Sequence, residues 1–414
     1  MGKEPKIYTF GCRLNSYESE IIEQDLIKKG VKNIAVYNSC AVTEAIRQVK
    51  YSIRKKRRDE PNTKIVVTGC AAQIEPETFV DMKEVDKVIG NSEKRDMASH
   101  LLRNNNNLVS DIMTNKDPLN SLSAGYKNKT RAFVEIQNGC NHRCTFCVIP
   151  YGRGNLRSKP KEQIIIEIND LISKGHKEII LTGVDIASWN MENHNESSLG
   201  VLIEYILNKI PSLERLRLSS MDIIGFDEKL IELIANNKRI LPHIHLSLQS
   251  GDNLILKRMK RRHLREDAIE LCKKLKQRRP EISFGADLIV GFPTETEEMF
   301  QNTLNIVEEC QLDWIHAFPF SPRPGTPAAK MPQNDTKVIK QRSKLLREVA
   351  RKRKKSYLEN LVGKSIEVFV EKDNKGYSNQ FAPIKLIEKN IESGQTITAL
   401  IKTSDENFAH GVAI

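Results

Sequence analysis

The chain has no apolar run approaching the ~20 residues that carry a helix across a bilayer, which excludes a membrane-embedded protein. Its first residues, Met-Gly-Lys-Glu-Pro-Lys, lack the apolar core of a secretory signal. Lys6 also stands where an N-myristoylation site carries Ser or Thr, so no lipid is expected there. With 29% charged and 39% apolar residues, the composition is not that of a disordered tail. A soluble, cytoplasmic protein without a membrane partner is expected. Disulfides are kept reduced in that compartment, so its eight cysteines read as metal ligands or reactive thiols.

What the sequence does carry is length, positive charge and two patterns of cysteine. Its 414 residues suffice for two to three domains. Lys and Arg number 65 against 53 Asp and Glu, a formal net charge of +12 that suggests a polyanionic partner. Runs rich in Ile, Val, Tyr and Thr at 6–10, 33–37 and 64–68 read as strands, with a fourth at 86–90. Helix-length segments separate them; over 18–29, Ile21, Ile22 and Leu26 fall on one side. This alternation predicts right-handed crossovers and a parallel sheet. The polar stretches 104–107 and 115–129 have no period and read as a linker or irregular edge.

A second series follows. Strands are expected at 132–137, 178–182, 215–219, 243–248, 282–290 and 314–320, with helices such as 161–173 and 265–278 between them. Six strands with crossovers fit an incomplete barrel better than a closed eight-unit one. Over 340–357 a helix carries Lys340, Lys344, Arg347, Arg351 and Lys354 opposite Ile339, Leu346, Val349 and Ala350. From Leu361 onward the alternation is that of a small β-domain, with strands at 365–370, 384–388 and 396–401. Six Lys there oppose seven acidic residues, so the basic surface lies elsewhere. The chain therefore reads as α/β in three parts, 1–125, 126–358 and 359–414.

Cys140, Cys144 and Cys147 form a C-x3-C-x2-C triplet directly after a predicted strand. Three thiolates this close can wrap one iron–sulfur cluster. A zinc site would close its shell with a fourth donor, and His142, inside the loop, is badly placed to be one. A second triplet is spread out. Cys12, Cys40 and Cys70 are 28 and 30 residues apart, about one strand-plus-helix unit each, and each stands just past a predicted strand. In an open parallel sheet those strand ends share one edge, where ligands gather. Gly11 and Gly69 allow close backbone approach beside the thiols. The competing reading is three buried cysteines, a common core residue. Cys272 and Cys310 show no such partners and read as packing residues on helical segments.

Together these residues resemble the radical S-adenosylmethionine (SAM) methylthiotransferases. The resemblance runs through Gly11-Cys12-Arg13-Leu14-Asn15, Asn38-Ser39-Cys40-Ala41-Val42-Thr43 and Thr68-Gly69-Cys70-Ala71-Ala72-Gln73. It continues in Cys147-Val148-Ile149-Pro150-Tyr151-Gly152-Arg153-Gly154, Leu248-Gln249-Ser250-Gly251, Gly291-Phe292-Pro293 and Ser321-Pro322-Arg323-Pro324-Gly325-Thr326. The stretch Asn15-Ser16-Tyr17-Glu18-Ser19-Glu20 is similar to the branch acting on threonylcarbamoyladenosine in tRNA. Ser247 departs from the family's usual Pro, and Asp222 from its usual Glu.

The resemblance implies an N-terminal parallel-sheet domain, a partial (β/α)6 barrel and a small RNA-binding β-barrel of the TRAM type. It implies two [4Fe-4S] clusters and SAM. Cys140, Cys144 and Cys147 would hold the cluster that opens SAM to a 5′-deoxyadenosyl radical, and Cys12, Cys40 and Cys70 the one that carries sulfur. Both would face one cavity, and the product would be a methylthio group on C2 of N6-threonylcarbamoyladenosine at tRNA position 37. SAM contacts are expected from Thr182, Gly183, Ser219, Ser220, Gln249 and Arg323 because they follow barrel strands, although Thr182-Gly183 alone reads equally as a strand-end turn. Phe146 either shields the cluster or fills core.

Three basic runs, Arg54–Arg58, Lys257–Arg262 and Lys340–Lys355, each read alone as a solvated helix face. Together they favour phosphate contact, and an anticodon-loop base is accessible because it can leave its stack. An electron donor and a sulfur source, neither identifiable from sequence, are implied as partners, and a monomer is expected. Same-family alternatives act on isopentenyladenosine or on a ribosomal-protein aspartate. A reading of another class is a non-catalytic, metal-stabilised RNA-binding protein; the fourth ligand missing from both triplets argues against it.

Overall fold

A computed structural model describes residues 2–123, 125, 130–193, 198–388 and 391–414. The first sheet is parallel throughout, in the order β1 (Lys6–Thr9), β2 (Ile34–Ser39), β3 (Lys64–Gly69), β4 (Lys87–Ile89), β5 (Asn107–Leu108). Strand residues alternate between faces. Ile34 and Val36 of β2 pack with Ile22 and Leu26 of α1 (Arg13–Lys28), whereas Ala35 and Tyr37 pack with Val49 and Ile53 of α2 (Thr43–Asp59). The strand order advances in one direction while α1 and α2 cover opposite faces, so these two crossovers cannot both be right-handed. This corrects the expectation. The reason lies in what α1 must also cover: Leu14, Tyr17 and Ile21 pack against Phe133 and Val184 of the next domain. The stretch at 104–107 is also more ordered than its composition implied, since β5 pairs with β4 there.

The second unit is a half barrel of six parallel strands. β6 (Arg131–Glu135) is followed by a short antiparallel ladder, β7 (Gln137–Asn138) with β8 (Arg157–Ser158), which closes the base of the cysteine loop. Then come β9 (Glu178–Thr182), β10 (Arg215–Leu218), β11 (His243–Gln249), β12 (Ser283–Val290) and β13 (Leu312–Pro319). Hydrogen bonding runs β6-β9-β10 and β11-β12-β13, and the bridges Leu216–Ile240 and Met221–Leu246 join the halves. One large apolar core under the outer helices supports it. The long helix Thr336–Glu359 lies along β13.

The third unit is a closed five-strand barrel of β14 (Ser365–Val370), β15 (Lys375–Ser378), β16 (Pro383–Leu386), β17 (Thr396–Ser404) and β18 (Ala409–Ala413). Leu358 and Leu361 at the end of the long helix enter its core. β15 and β18 lay outside the strands expected from the sequence. Among the described residues no helix is long and apolar enough to cross a membrane.

The barrels are joined at the floor of the half barrel. The turn between β15 and β16 lodges under the N-terminal ends of the half-barrel strands, with Phe381 stacked on His243 at 5.1 Å. Arg217 donates to the carbonyls of Ser378 and Asn379, and Ser283 Oγ donates to that of Gln380.

Candidate active site

The three cysteines of the N-terminal unit come from corresponding places. Cys12 precedes α1, Cys40 follows β2, and Cys70 opens α3 (Cys70–Ile74) directly after β3. Cys12 is exposed, Cys40 half-buried and Cys70 buried. Gly11 and Gly69 share a left-handed backbone, φ +100 and +96. A Cβ on Gly11 would stand 2.8 Å from Cys40 Sγ, and one on Gly69 2.3 Å from the Ser39 carbonyl, so only glycine lets these three strand ends close up. Burial pushes the Cys40 thiol up to about 11, with Cys70 and Cys12 adding to the rise.

The second trio is held by the loop that β7 and β8 close. Cys140, Cys144 and Cys147 are all half-buried. Burial raises Cys140 to about 12 and Cys147 to about 11, and each also responds to Cys144. Cys147 responds weakly to Cys70 as well. The segments that follow Cys147 and Cys70 are in contact. The short helix Ile149–Arg153 packs on α3, where a Cβ on Gly152 would lie 3.4 Å from Cys70 Cβ. Asn91 Nδ2 bridges the two by donating to the Gly152 carbonyl and lying 3.8 Å from Cys70 Sγ. Ala41, Cys70 and Val148, with Ile74 against them, form an apolar seal.

Among the described residues, neither trio brings its three sulfurs within 4.8 Å of one another. A single four-coordinate ion, with Zn–S near 2.3 Å, needs a closer approach; a multi-iron cluster spaces its ligands wider. His142 stands with Cys140 and Asp185 rather than with the other two cysteines, the ligand atoms of these three lying within 4.8 Å of one another. Its Nε2 lies 2.8 Å from Asp185 Oδ2, and Ser188 Oγ holds the same oxygen at 2.6 Å.

The six expected SAM-contacting residues divide. Thr182 is buried at the end of β9, and the Gly183 turn is tied down where Gln137 Oε1 accepts from the Val184 and Asp185 amides. Ser219 Oγ is buried without a hydrogen-bond partner, an orphaned polar atom that fits a bound polar ligand. Ser220 is exposed. Gln249 ends β11 with φ +71, a strained conformation for a residue with a side chain. Arg323 points elsewhere: it donates to Thr43 Oγ1 at 2.8 Å and faces Glu75 at 3.8 Å, tying the half barrel to the first domain. Phe146 packs edge-on against Phe292.

Two arginines, one in the matched motif after Cys147 and one in the basic run at 257–262, have roles that the sequence does not assign. Arg261 lies 3.7 Å from Cys144 Sγ, donates to the Ser247 carbonyl and faces Asp222 at 3.1 Å. Burial opposes ionisation of Asp222, yet His263 and Arg261 hold it well below the usual carboxylate range. Arg153 crosses between domains, donating to both oxygens of Glu18 at 2.8 and 3.0 Å and to Asn15 Oδ1. Lys94 holds the same carboxylate at 2.7 Å. The basic run at 257–262 is thus partly internal: Arg258, Arg261 and Arg262 all have partners there. In α2, Arg57 is spent on Asp86 and nearby carbonyls. Lys340, Lys344, Arg347 and Arg351 remain exposed. Cys272 and Cys310 are buried as expected, and neighbouring Cys310, with burial, pushes the Cys272 thiol up.

Residues 134–307 match the family model of the Radical SAM superfamily, and residues 5–90 that of Uncharacterized protein family UPF0004. The chain is 44% identical to the threonylcarbamoyladenosine tRNA methylthiotransferase MtaB of Rickettsia prowazekii, over 99% of this chain and 97% of that one. With the MtaB of Aquifex aeolicus it shares 36% over 95% and 98%. With the tRNA-2-methylthio-N(6)-dimethylallyladenosine synthase of Ehrlichia chaffeensis it shares 34% over 90% and 89%. Among solved structures, the radical S-adenosylmethionine methyltransferase TsrM of Kitasatospora setae, with cobalamin and a [4Fe-4S] cluster bound, aligns with a TM-score of 0.58. That alignment covers 79% of this chain and 77% of TsrM at 13% identity, a likeness of fold alone.

A half barrel of parallel strands with a C-x3-C-x2-C loop beyond its first strand defines a radical SAM enzyme, whose cofactors are [4Fe-4S] clusters and SAM. Within that class, the chain belongs to the methylthiotransferase family.

Proposed function

We propose that this enzyme transfers a methylthio group to C2 of N6-threonylcarbamoyladenosine at position 37 of tRNA. The observation that supports the reading is the packing of α3, which Cys70 opens, on the helix Ile149–Arg153, which follows Cys147, across Ala41, Val148 and Ile74. The identity of 44% with an enzyme named for threonylcarbamoyladenosine, against 34% with a dimethylallyladenosine synthase, favours the first adenosine.

In this reading Cys140, Cys144 and Cys147 would hold one [4Fe-4S] cluster and Cys12, Cys40 and Cys70 the other. When bound, the first would supply the reductive cleavage of SAM and the second the sulfur for transfer. The chain's own residues orient and exclude. Arg261 offers an N–H to the Cys144 sulfur, the kind of outer contact that fixes and tunes a ligand. Ser219 Oγ and the Thr182-Gly183 turn offer polar contacts for SAM, and Gln249 lends its side chain from a strained backbone. Ala41, Val148 and Ile74 keep water from the space between the trios, where a radical would otherwise be quenched. The exposed basic face of the long helix meets the phosphates of the anticodon arm. The enzyme works as a monomer in the cytoplasm and draws its electrons and sulfur from separate donors.

The test is anaerobic reconstitution with iron and sulfide, then incubation with SAM, a reductant and tRNA carrying threonylcarbamoyladenosine. Digestion and mass spectrometry should find the methylthio nucleoside. SAM cleavage without that product, alongside product from isopentenyladenosine tRNA or a ribosomal protein, would refute the assignment.

A further inference from the structure

Arg13 opens α1 beside Cys12, and its guanidinium lies 5.7 Å from the Phe381 ring on the floor of the half barrel. The other charges facing that space are matched. Arg131 pairs with Glu371 at 2.7 Å and stands 3.9 Å from Glu178. Arg215 and Arg217 bind Glu178 at 3.0 and 2.7 Å. Asp287 is shared by His245 and His316, both at 3.0 Å. His243 Nδ1 is 2.9 Å from Ser283 Oγ. Arg13 is half-buried and lies over the face of Phe381, and among the described residues no carboxylate stands within ion-pair distance of it and no acceptor within hydrogen-bond distance; Glu178, already held by Arg215 and Arg217, acts on it only at longer range. A cation withdrawn from water without a counter-charge is costly, and a planar guanidinium is the donor best shaped for a carboxylate.

We propose that Arg13 receives the carboxylate of the threonylcarbamoyl group, and so selects adenosines whose N6 substituent is charged. The inference rests on the function proposed above and names the residue that reads that substrate. The geometry agrees with the chemistry of the base. C2 and C6, which bears N6, flank N1 on one edge of the adenine ring, so a C2 presented to the Cys12, Cys40 and Cys70 group keeps the threonylcarbamoyl arm on the same side, with its carboxylate within on the order of 10 Å at bond lengths of about 1.5 Å. An extended arginine side chain leaving the chain next to Cys12 reaches about 6–7 Å in that direction. The pairing needs no movement of the carboxylates already present, since each has its own cation.

Three anticodon stem-loops test this with reconstituted full-length enzyme: one bearing threonylcarbamoyladenosine, one with its threonyl carboxylate methyl-esterified, and one with plain adenosine. Fluorescence anisotropy gives Kd for each, and product formation gives kcat and KM for the first two. Wild type should prefer the free acid over the ester roughly 10- to 100-fold, the range expected for a hydrogen-bonded charge. Arg13→Gln should erase that preference while leaving affinity for the ester and for plain adenosine unchanged, and Arg13→Lys should keep part of it. Iron and sulfide content of each variant checks that the neighbouring Cys12 site is intact. An acid preference that survives in Arg13→Gln overturns the inference, and so does an equal loss on all three RNAs, which would mark a backbone-phosphate contact. If wild type makes no methylthio product from the first stem-loop, the proposed function fails instead, whatever the binding data show.

Discussion

Replacing Arg153 with alanine should separate the two halves of the chemistry. The side chain is buried and makes two hydrogen bonds to Glu18, at 2.8 and 3.0 Å, and a third to Asn15, joining the domain of Cys147 to the domain of Cys12. Its removal strands Glu18 with Lys94 alone. Deleting one partner of a buried ion pair costs ~3–5 kcal/mol; Lys94 stays, so we expect about 3 kcal/mol. Against a total stability of roughly 5–15 kcal/mol that is a large fraction. Denaturant unfolding should show the loss, and Arg153→Lys, which keeps the charge without the fork, should recover part of it. Because the lost contact holds the two cysteine trios together, 5′-deoxyadenosine should still form while methylthio product falls further. Burial opposes ionisation of Glu18, but Arg153 and Lys94 outweigh it and hold the carboxyl well below its ordinary range. Its contribution is therefore present above the free-carboxylate pKa of about 4.3 and is lost as the pH falls below that value. The pH dependence of unfolding in that window should flatten in Arg153→Ala. A loss under ~1 kcal/mol with normal coupling of the two products would refute the reasoning.

Cys144→Ala should abolish 5′-deoxyadenosine, and its persistence, read by chromatography, would remove the SAM-cleaving role from that trio. Cys40→Ala should leave 5′-deoxyadenosine but stop sulfur insertion, as mass spectrometry of the nucleoside would report. Burial leads the rise of Cys40 and Cys147 to about 11 and of Cys140 to about 12, so these thiols are protonated near neutrality and must release protons to bind iron. Iron affinity should accordingly rise with pH between 7 and 9, and a flat titration would contradict this. Changing Lys340, Lys344, Arg347 and Arg351 together to Gln should lower the slope of log affinity for tRNA against log salt by about 3; an unchanged slope would place the phosphates elsewhere.

Much of this was legible in the sequence because it is local. The cysteine loop spans eight residues, and the strands before Cys12, Cys40 and Cys70 announce themselves by β-branched composition. What escaped was long-range. Arg153 and Glu18 are 135 residues apart, and no periodicity links them. The run at 257–262 reads as a solvated face until the fold brings Asp222, Ser247 and Cys144 to Arg261. Arg323 follows a barrel strand as a ligand-binding residue would, yet Thr43 draws it to the first domain. The opposite-face placement of α1 and α2 was hidden for a related reason: periodicity says which side of a helix is apolar, not which face of a sheet it covers.

The turn carrying Phe381 gives the C-terminal barrel a second duty. Stacked on His243 and clasped by Arg217, it stops the lower mouth of the half barrel like a bung. A chain cut short before residue 361 would then lose the stopper together with the barrel that carries it, leaving a drain beneath the reaction vessel through which water enters from below.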